Sequence, residues 1–215
     1  WPEGAPEDRI EATLALLARL VAAGLAVPSP LTTPEGSRIL RLDRRRYTAR
    51  GWLPGAPPGR TAVAYPDPER WLNLPAALPE TAYADAIRLL ARLHQETAGQ
   101  APPGVPTVDL AGVPAAVGTA WAEARGRLRP IAPRTPAVQR WLAAGERLMP
   151  AAEATLAAAD PALLAPSATL HLNAWPGHLL LGEEDAVTGL LGWERAAVGA
   201  PLLDLAQAIV RLRGW

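Results

Sequence analysis

Two of the three histidines of the chain stand in one short stretch, His171–His178 (HLNAWPGH), together with the amide side chain of Asn173. Asn173 follows His171 by two residues, and His178 follows Asn173 by five. An amide cannot accept the proton of a substrate hydroxyl, and imidazole is a poor ligand for Mg²⁺, which prefers oxygen. A transition metal would need more ligands than His178 has near it in the sequence. The stretch therefore does not by itself supply the ligand set of a metal site.

The composition removes several other chemistries. All 21 basic residues are arginine, so the chain has no lysine for a Schiff base or for nucleotide phosphates, and it has no cysteine. The motifs GxGxxG, GxxxxGK, HExxH and GxSxG do not occur, and a Ser-His-Asp site without a GxSxG elbow stays open. The formal net charge is zero, and no apolar run reaches the roughly eighteen residues of a membrane span. We therefore expect neither nucleic acid nor a membrane as partner, and the lack of cysteine favours a cytoplasmic location.

Hydrophobic periodicity and the positions of proline and glycine predict an α+β chain. Helices are predicted at 10–23, 79–99, 114–127, 136–159 and 202–212. Short strands are predicted at 37–43, 46–52, 169–172, 179–181 and 187–193, the first two as a hairpin. The breaker Leu53–Gly59 (LPGAPPG) predicts a boundary between a first lobe, 1–55, and a larger second lobe, 56–215.

Several motifs, in order and with near-family spacing, resemble the aminoglycoside phosphotransferase and choline kinase family. Members read approximately HGDxxxxN, then a strand ending in DWE, then GDPxxDLA. Here HLNAWPGH occupies 171–178, GWE occupies 192–194, and GAPLLDLA occupies 199–206. Upstream, LARLH at 90–94 resembles the end of a family helix. The resemblance implies a protein-kinase-like fold with two lobes, a truncated N-terminal lobe of helix plus hairpin, and a mostly helical C-terminal lobe.

The resemblance also shows where this chain departs from the family. Asn173 stands at the position of the base aspartate, which takes the proton of the substrate hydroxyl. His178 stands at the metal-binding asparagine, and Gly192 stands at the second metal-binding residue, an aspartate. The resemblance begins at the first-lobe helix, and Glu11 in that helix has no lysine partner. All the positions that would hold the base and the metal are thus altered.

Three further residues receive roles from the resemblance. His171 is implied to brace the loop, and Asp204 is implied to be a structural aspartate that accepts hydrogen bonds from the loop backbone. Glu194 follows the lost aspartate by two residues and belongs to the degenerate metal and nucleotide positions. We expect Glu194 to pair with Arg195 or with another arginine.

These departures predict a catalytically impaired pseudokinase that keeps the inter-lobe cleft and binds a small molecule or a partner there. ATP and Mg²⁺ are implied by the resemblance alone, and the residues themselves indicate no cofactor. Two alternatives stay open. One is an active ATP-dependent small-molecule phosphotransferase with an unusual site, and the other is an interaction domain without enzymatic activity.

Overall fold

The computed structural model describes residues 5–43, 45–58 and 78–212. The helices are α1 (Glu7–Ala22), α2 (Glu80–Thr97), α3 (Val113–Leu128), α4 (Pro136–Ala157), α5 (Pro161–Leu164) and α6 (Pro201–Leu212). The strands are β1 (Leu40–Leu42), β2 (Arg45–Tyr47), β3 (Ala168–Leu170), β4 (Leu179–Leu181), β5 (Val187–Leu190) and β6 (Ala197–Gly199). Helices with small, separate sheets confirm the α+β class. Within the described residues, no helix combines the length and the apolar character needed to cross a membrane.

The chain divides into two compact units. The smaller one comprises residues 109–166 and contains α3, α4 and α5. Within it the rings of Trp121 and Trp141 lie 4.9 Å apart, joining α3 to α4. The larger unit is built from the described residues before 109 and after 166, and it holds every candidate site residue. The lobe boundary at residue 55 stays a prediction, and Gly59 at the end of the breaker lies outside the described residues.

The core of the larger unit is made by one face of α1 and one face of α2. Leu17 and Leu20 of α1 are buried, as are Leu90 and Leu93 of α2, and each pair is three residues apart on its helix. Trp193 lies in the same cluster and has no exposed surface. Burying each large side chain stabilises the fold by about 1.5–3 kcal/mol. Trp193 therefore anchors the segment around Gly192 to the two helices.

Two small antiparallel sheets position the site. Strands β4 and β5 form the hairpin that the sequence predicted, with Leu179 opposite Leu190. Strand β3 pairs with β6, so that Ala168 lies opposite Gly199 and Leu170 opposite Ala197. The sequence did not predict β6. Because β3 leads directly into the 171–178 stretch and β6 leads directly into α6, their pairing places the start of α6 beside that stretch.

A third sheet is the hairpin of β1 and β2, which the sequence predicted with longer strands. Leu40 lies opposite Tyr47, and all six strand residues are exposed. Two ion pairs join this segment to α1, one between Arg38 and Glu11 at 2.6 Å and one between Arg41 and Glu7. Glu11 therefore does have a cationic partner, an arginine instead of the lysine that the resemblance would suggest.

Candidate functional site

Asp204, in the first turn of α6, holds the backbone that follows β3. Its Oδ2 accepts a hydrogen bond from the amide nitrogen of His171 at 2.9 Å, and its Oδ1 accepts one from the amide nitrogen of Leu172 at 2.8 Å. The Nε2 of His94, near the end of α2, lies 3.0 Å from the same Oδ2. Burial would raise the pKa of Asp204, but the hydrogen bonds from His94 and the two amides keep that pKa below its ordinary value. A buried carboxylate thus ties the loop to α2 and α6.

The imidazole of His171 is fully buried and braces the loop from inside. Its Nε2 lies 2.8 Å from the carbonyl oxygen of Leu191 and donates to it, while its Nδ1 accepts from the amide nitrogen of Asn173 at 3.3 Å. These partners require the neutral tautomer with the proton on Nε2. Burial lowers the pKa of His171 to about 4, which keeps the ring neutral. The ring also meets Trp193 edge-on, with centroids 4.7 Å apart.

The side chain of Asn173 points toward the segment after β5. Its Nδ2 donates to Oε1 of Glu194 at 2.7 Å and to the carbonyl oxygen of Gly192 at 3.1 Å. Both neighbouring groups can only accept, so both amide hydrogens are used. The residue is 7% exposed. The position that the resemblance aligns with the family's base therefore presents hydrogen-bond donors to Glu194 and Gly192.

His178 and Gly192 share one small space. The Nδ1 of His178 donates to the carbonyl oxygen of Asn173 at 2.9 Å, and its ring packs edge-on against Trp175 with centroids 5.1 Å apart. Gly192 has φ +81°, and a methyl group built on it would fall within 2.7 Å of three imidazole atoms. The imidazole thus occupies the volume that a side chain at 192 would need. Asn173, His178 and Gly192, at three separate points of the sequence, are in direct contact.

Glu194 is half-buried and adjoins two arginines from the first part of the chain. Its carboxylate is hydrogen-bonded to Asn173, and Arg195, one of the arginines that the sequence analysis considered as its partner, is exposed. Its backbone carbonyl accepts a hydrogen bond from Nη2 of Arg9 at 3.2 Å. Burial lowers the pKa of Arg50, and the negative charge of Glu194 opposes that shift.

Sequence reasoning did not assign a role to His94, Arg9 or Arg50. For His94 a signal existed, because it ends the LARLH motif already matched to the family. For the two arginines no local signal exists, since Arg9 is 185 residues from Glu194 in the chain.

The side chains at these positions do not suit Mg²⁺. Asn173 directs N–H groups at its neighbours, His178 offers nitrogen, and Gly192 has no side chain. Glu194 alone supplies a carboxylate, and one of its oxygens is bonded to Asn173. Mg²⁺ requires near-octahedral oxygen coordination. Within residues 5–43, 45–58 and 78–212, no group of three or more His, Cys, Asp or Glu side chains is placed to hold a metal ion.

Solved structures of other proteins show which fold this chain has. The spectinomycin phosphotransferase APH(9)-Ia, in complex with ADP and spectinomycin, matches 91% of this chain with a TM-score of 0.61 at 13% identity. An aminoglycoside phosphotransferase from Alicyclobacillus acidocaldarius matches 95% with a TM-score of 0.63 at 19% identity. The chain spans 56% and 58% of the lengths of these two proteins. The fold is therefore the kinase-like fold of the aminoglycoside phosphotransferases.

The sequence itself gives the family. The model of the phosphotransferase enzyme family matches residues 1–215. This chain belongs to the phosphotransferase enzyme family, which confirms the resemblance found in its motifs. Comparison with curated protein sequences gives no match.

Proposed function

We propose that this family member is a pseudokinase, which keeps the loop scaffold of a phosphotransferase and binds a small molecule or a partner without transferring phosphate. The hydrogen bonding of Asn173 carries the proposal. In the family an aspartate at this position takes the proton of the attacking hydroxyl. The amide of Asn173 has no basic atom, and both of its hydrogens are engaged by Glu194 and Gly192.

The contact between His178 and Gly192 supports the same conclusion. Phosphoryl transfer depends on positioning and on stabilising the charge of the transition state with metal ions and cations. Position 192 carries no carboxylate, and the imidazole of His178 fills the adjacent space. If the three positions correspond to those of the family, as the resemblance implies, the base and both metal-binding side chains are replaced together in one site.

The loop scaffold, by contrast, is intact. The carboxylate of Asp204 accepts hydrogen bonds from the amides of His171 and Leu172, and the ring of His171 donates to the carbonyl oxygen of Leu191. These contacts need no catalytic residue, so they stabilise the loop whether or not phosphate is transferred. A retained scaffold without reactive side chains is the pattern expected of a binding protein.

A coupled ATPase assay and a phosphate-transfer assay on the intact chain test the proposal, with aminoglycosides and choline as acceptors. We expect no turnover above background. Robust turnover that is lost in Asn173→Ala or Glu194→Ala, but kept in the matched variant Glu123→Ala, would contradict it. Glu123 is exposed and lies in the smaller compact unit, which makes it a suitable control.

One observation favours a second candidate, an active phosphotransferase with a rearranged site. The half-buried carboxylate of Glu194 lies 2.7 Å from Asn173, close enough to take over the proton-accepting role at that position. For this candidate, turnover in the same assays would be abolished by Glu194→Gln, which keeps the hydrogen bond to Asn173 but removes the base. For either candidate we propose a small-molecule ligand, no nucleic acid or membrane partner, and a cytoplasmic location, on the basis of the neutral and cysteine-free composition.

A further inference from the structure

One face of the hairpin of β1 and β2 packs against α1. Ile39, just before β1, is buried in a small cluster with Ile10 and Leu14 of that helix. Arg41, two residues further along, forms an ion pair with Glu7 at the start of the same helix. Side chains alternate between the two faces of a strand, so residues 39 and 41 share the face toward α1. The other face of β1 is therefore directed away from that helix.

The face directed away from α1 carries apolar side chains. Leu40 and Leu42 belong to it by alternation, and Tyr47 belongs to it because it lies opposite Leu40 in the register. These three residues are 49%, 56% and 46% exposed. An antiparallel sheet with one face in water normally directs polar side chains outward and apolar ones inward. Here an arginine is directed toward the helix and two leucines toward water, which is typical of a face that another molecule covers.

Positive charge accompanies this apolar face. From 38 to 46 the sequence has five arginines and one aspartate, and α1 contributes two glutamates through the ion pairs described above. The segment therefore keeps a positive excess. Arg45 lies opposite Leu42 in the register and so belongs to the apolar face itself, and the neighbouring Arg46 is exposed. A molecule that covers this face would be favoured by carboxylates next to its apolar groups.

We propose that the face formed by Leu40, Leu42, Arg45 and Tyr47 is a docking surface for an acidic peptide segment of a partner protein. Apolar side chains of the segment would cover the two leucines and the tyrosine, and its carboxylates would pair with the arginine. A second copy of the chain is disfavoured, because a two-fold symmetric contact would bring the same arginines of both copies together. The proposal goes beyond the pseudokinase function and does not depend on it, since none of the four residues belongs to the candidate site.

The first test is fluorescence anisotropy of a labelled peptide in which glutamate alternates with valine, titrated with the intact chain. We expect binding that Leu42→Ser weakens at least about fivefold, because the apolar contact is lost. Leu148→Ser is the matched control, since Leu148 is 65% exposed on α4 in the smaller unit, and the affinity should change less than about twofold. No binding, or an equal loss in the two variants, would overturn the proposal. If Leu42→Ser does not fold by circular dichroism, Tyr47→Ser decides.

The second test concerns charge. High salt should weaken binding of the glutamate peptide, and a peptide with lysine in place of glutamate should bind far more weakly. Arg45→Gln should weaken binding of the glutamate peptide about threefold and reduce the effect of salt, whereas Arg127→Gln in the smaller unit should change neither. Equal affinity for the two peptides would refute the choice of an acidic partner.

Three further measurements distinguish other occupants of the same face. Single-stranded oligouridylate and vesicles of phosphatidylserine should both bind the intact chain more weakly than the glutamate peptide does. Tighter binding of either one, lost in Leu42→Ser, would replace the proposal with a nucleic-acid or a membrane surface. Sedimentation should show no dimer that depends on Leu42, and a dimer that dissociates in Leu42→Ser would instead assign the face to a second copy.

Discussion

Replacing Gly192 with alanine should destabilise the protein for two separable reasons. At φ +81° the residue is left-handed, which costs a non-glycine residue about 1–2 kcal/mol. The new methyl group would also fall within 2.7 Å of three atoms of the His178 ring. Overpacking of this kind costs about 1–3 kcal/mol. We therefore expect Gly192→Ala to lower the free energy of unfolding by about 2–5 kcal/mol.

A matched glycine separates the two contributions. Gly36 has φ +84°, and a methyl group built there meets nothing within 4 Å. Gly36→Ala should therefore lower the free energy of unfolding only by the cost of placing a non-glycine residue in the left-handed conformation. In a His178→Ala background the ring is gone, and Gly192→Ala should then cost no more than Gly36→Ala. The double-mutant cycle between positions 178 and 192 should give a coupling of about 1–3 kcal/mol.

Urea unfolding followed by tryptophan fluorescence is the assay, since the chain has 8 tryptophans and one of them, Trp193, is adjacent to the substitution. The four members of the cycle and Gly36→Ala are compared with their m-values, so that a change in the unfolded state is recognised. Additive costs at 178 and 192, within about 0.5 kcal/mol, would refute the steric argument. A cost for Gly192→Ala equal to that of Gly36→Ala would refute it independently.

Further expectations concern the loop and the lost side chains. The pKa of His171 is about 4 in the fold against 6.5 when unfolded, so the unfolded state binds more protons in this window and stability falls as the pH drops from 6.5 toward 4. The free energy of unfolding measured in urea should be about 2 kcal/mol lower at pH 5 than at pH 7. Equal free energies at the two pH values would contradict the buried neutral ring. Asp204→Asn should lower the free energy of unfolding by about 2–4 kcal/mol in the same assay, because one of the two oxygens that accept from three donors is lost. A decrease below about 0.5 kcal/mol would argue against the anchoring role of Asp204. Combining Asn173→Asp, His178→Asn and Gly192→Asp should make ATP affinity depend on Mg²⁺, measured by titration with and without the metal, while phosphate transfer stays very low. Affinity that still ignores Mg²⁺ would show that these positions do not correspond to the family's metal site.

The long helices were predictable because they depend on local periodicity, and α2 and α6 begin and end within a few residues of the expected positions. Strand β6 was not predictable in the same way. Ala197–Gly199 is three residues long, all of them buried, and carries small or branched side chains without alternation. It is a strand because β3 lies beside it, which is a tertiary contact that no local pattern contains.

The candidate site, too, could be predicted from the sequence only in part. Motif spacing, together with the family resemblance, was enough to name Asn173, His178 and Gly192 as positions to compare. It could not show that the ring of His178 fills the space beside Gly192, because that depends on the path of two loops. The direction of the Asn173 amide was equally hidden, since it is set by the acceptors that Glu194 and Gly192 place around it.

The carboxylate of Asp204 has a consequence for hydrogen exchange. The amides of His171 and Leu172 belong to a loop, yet both donate to a side chain that is fully buried on α6. Leu172 is also left-handed, at φ +56°, and this conformation is maintained by the surrounding bonds. Deuterium can reach these two amides only when the Asp204 contact opens. Their protection factors should therefore match each other and follow the opening of α6, so that two loop amides report the free energy needed to open that helix.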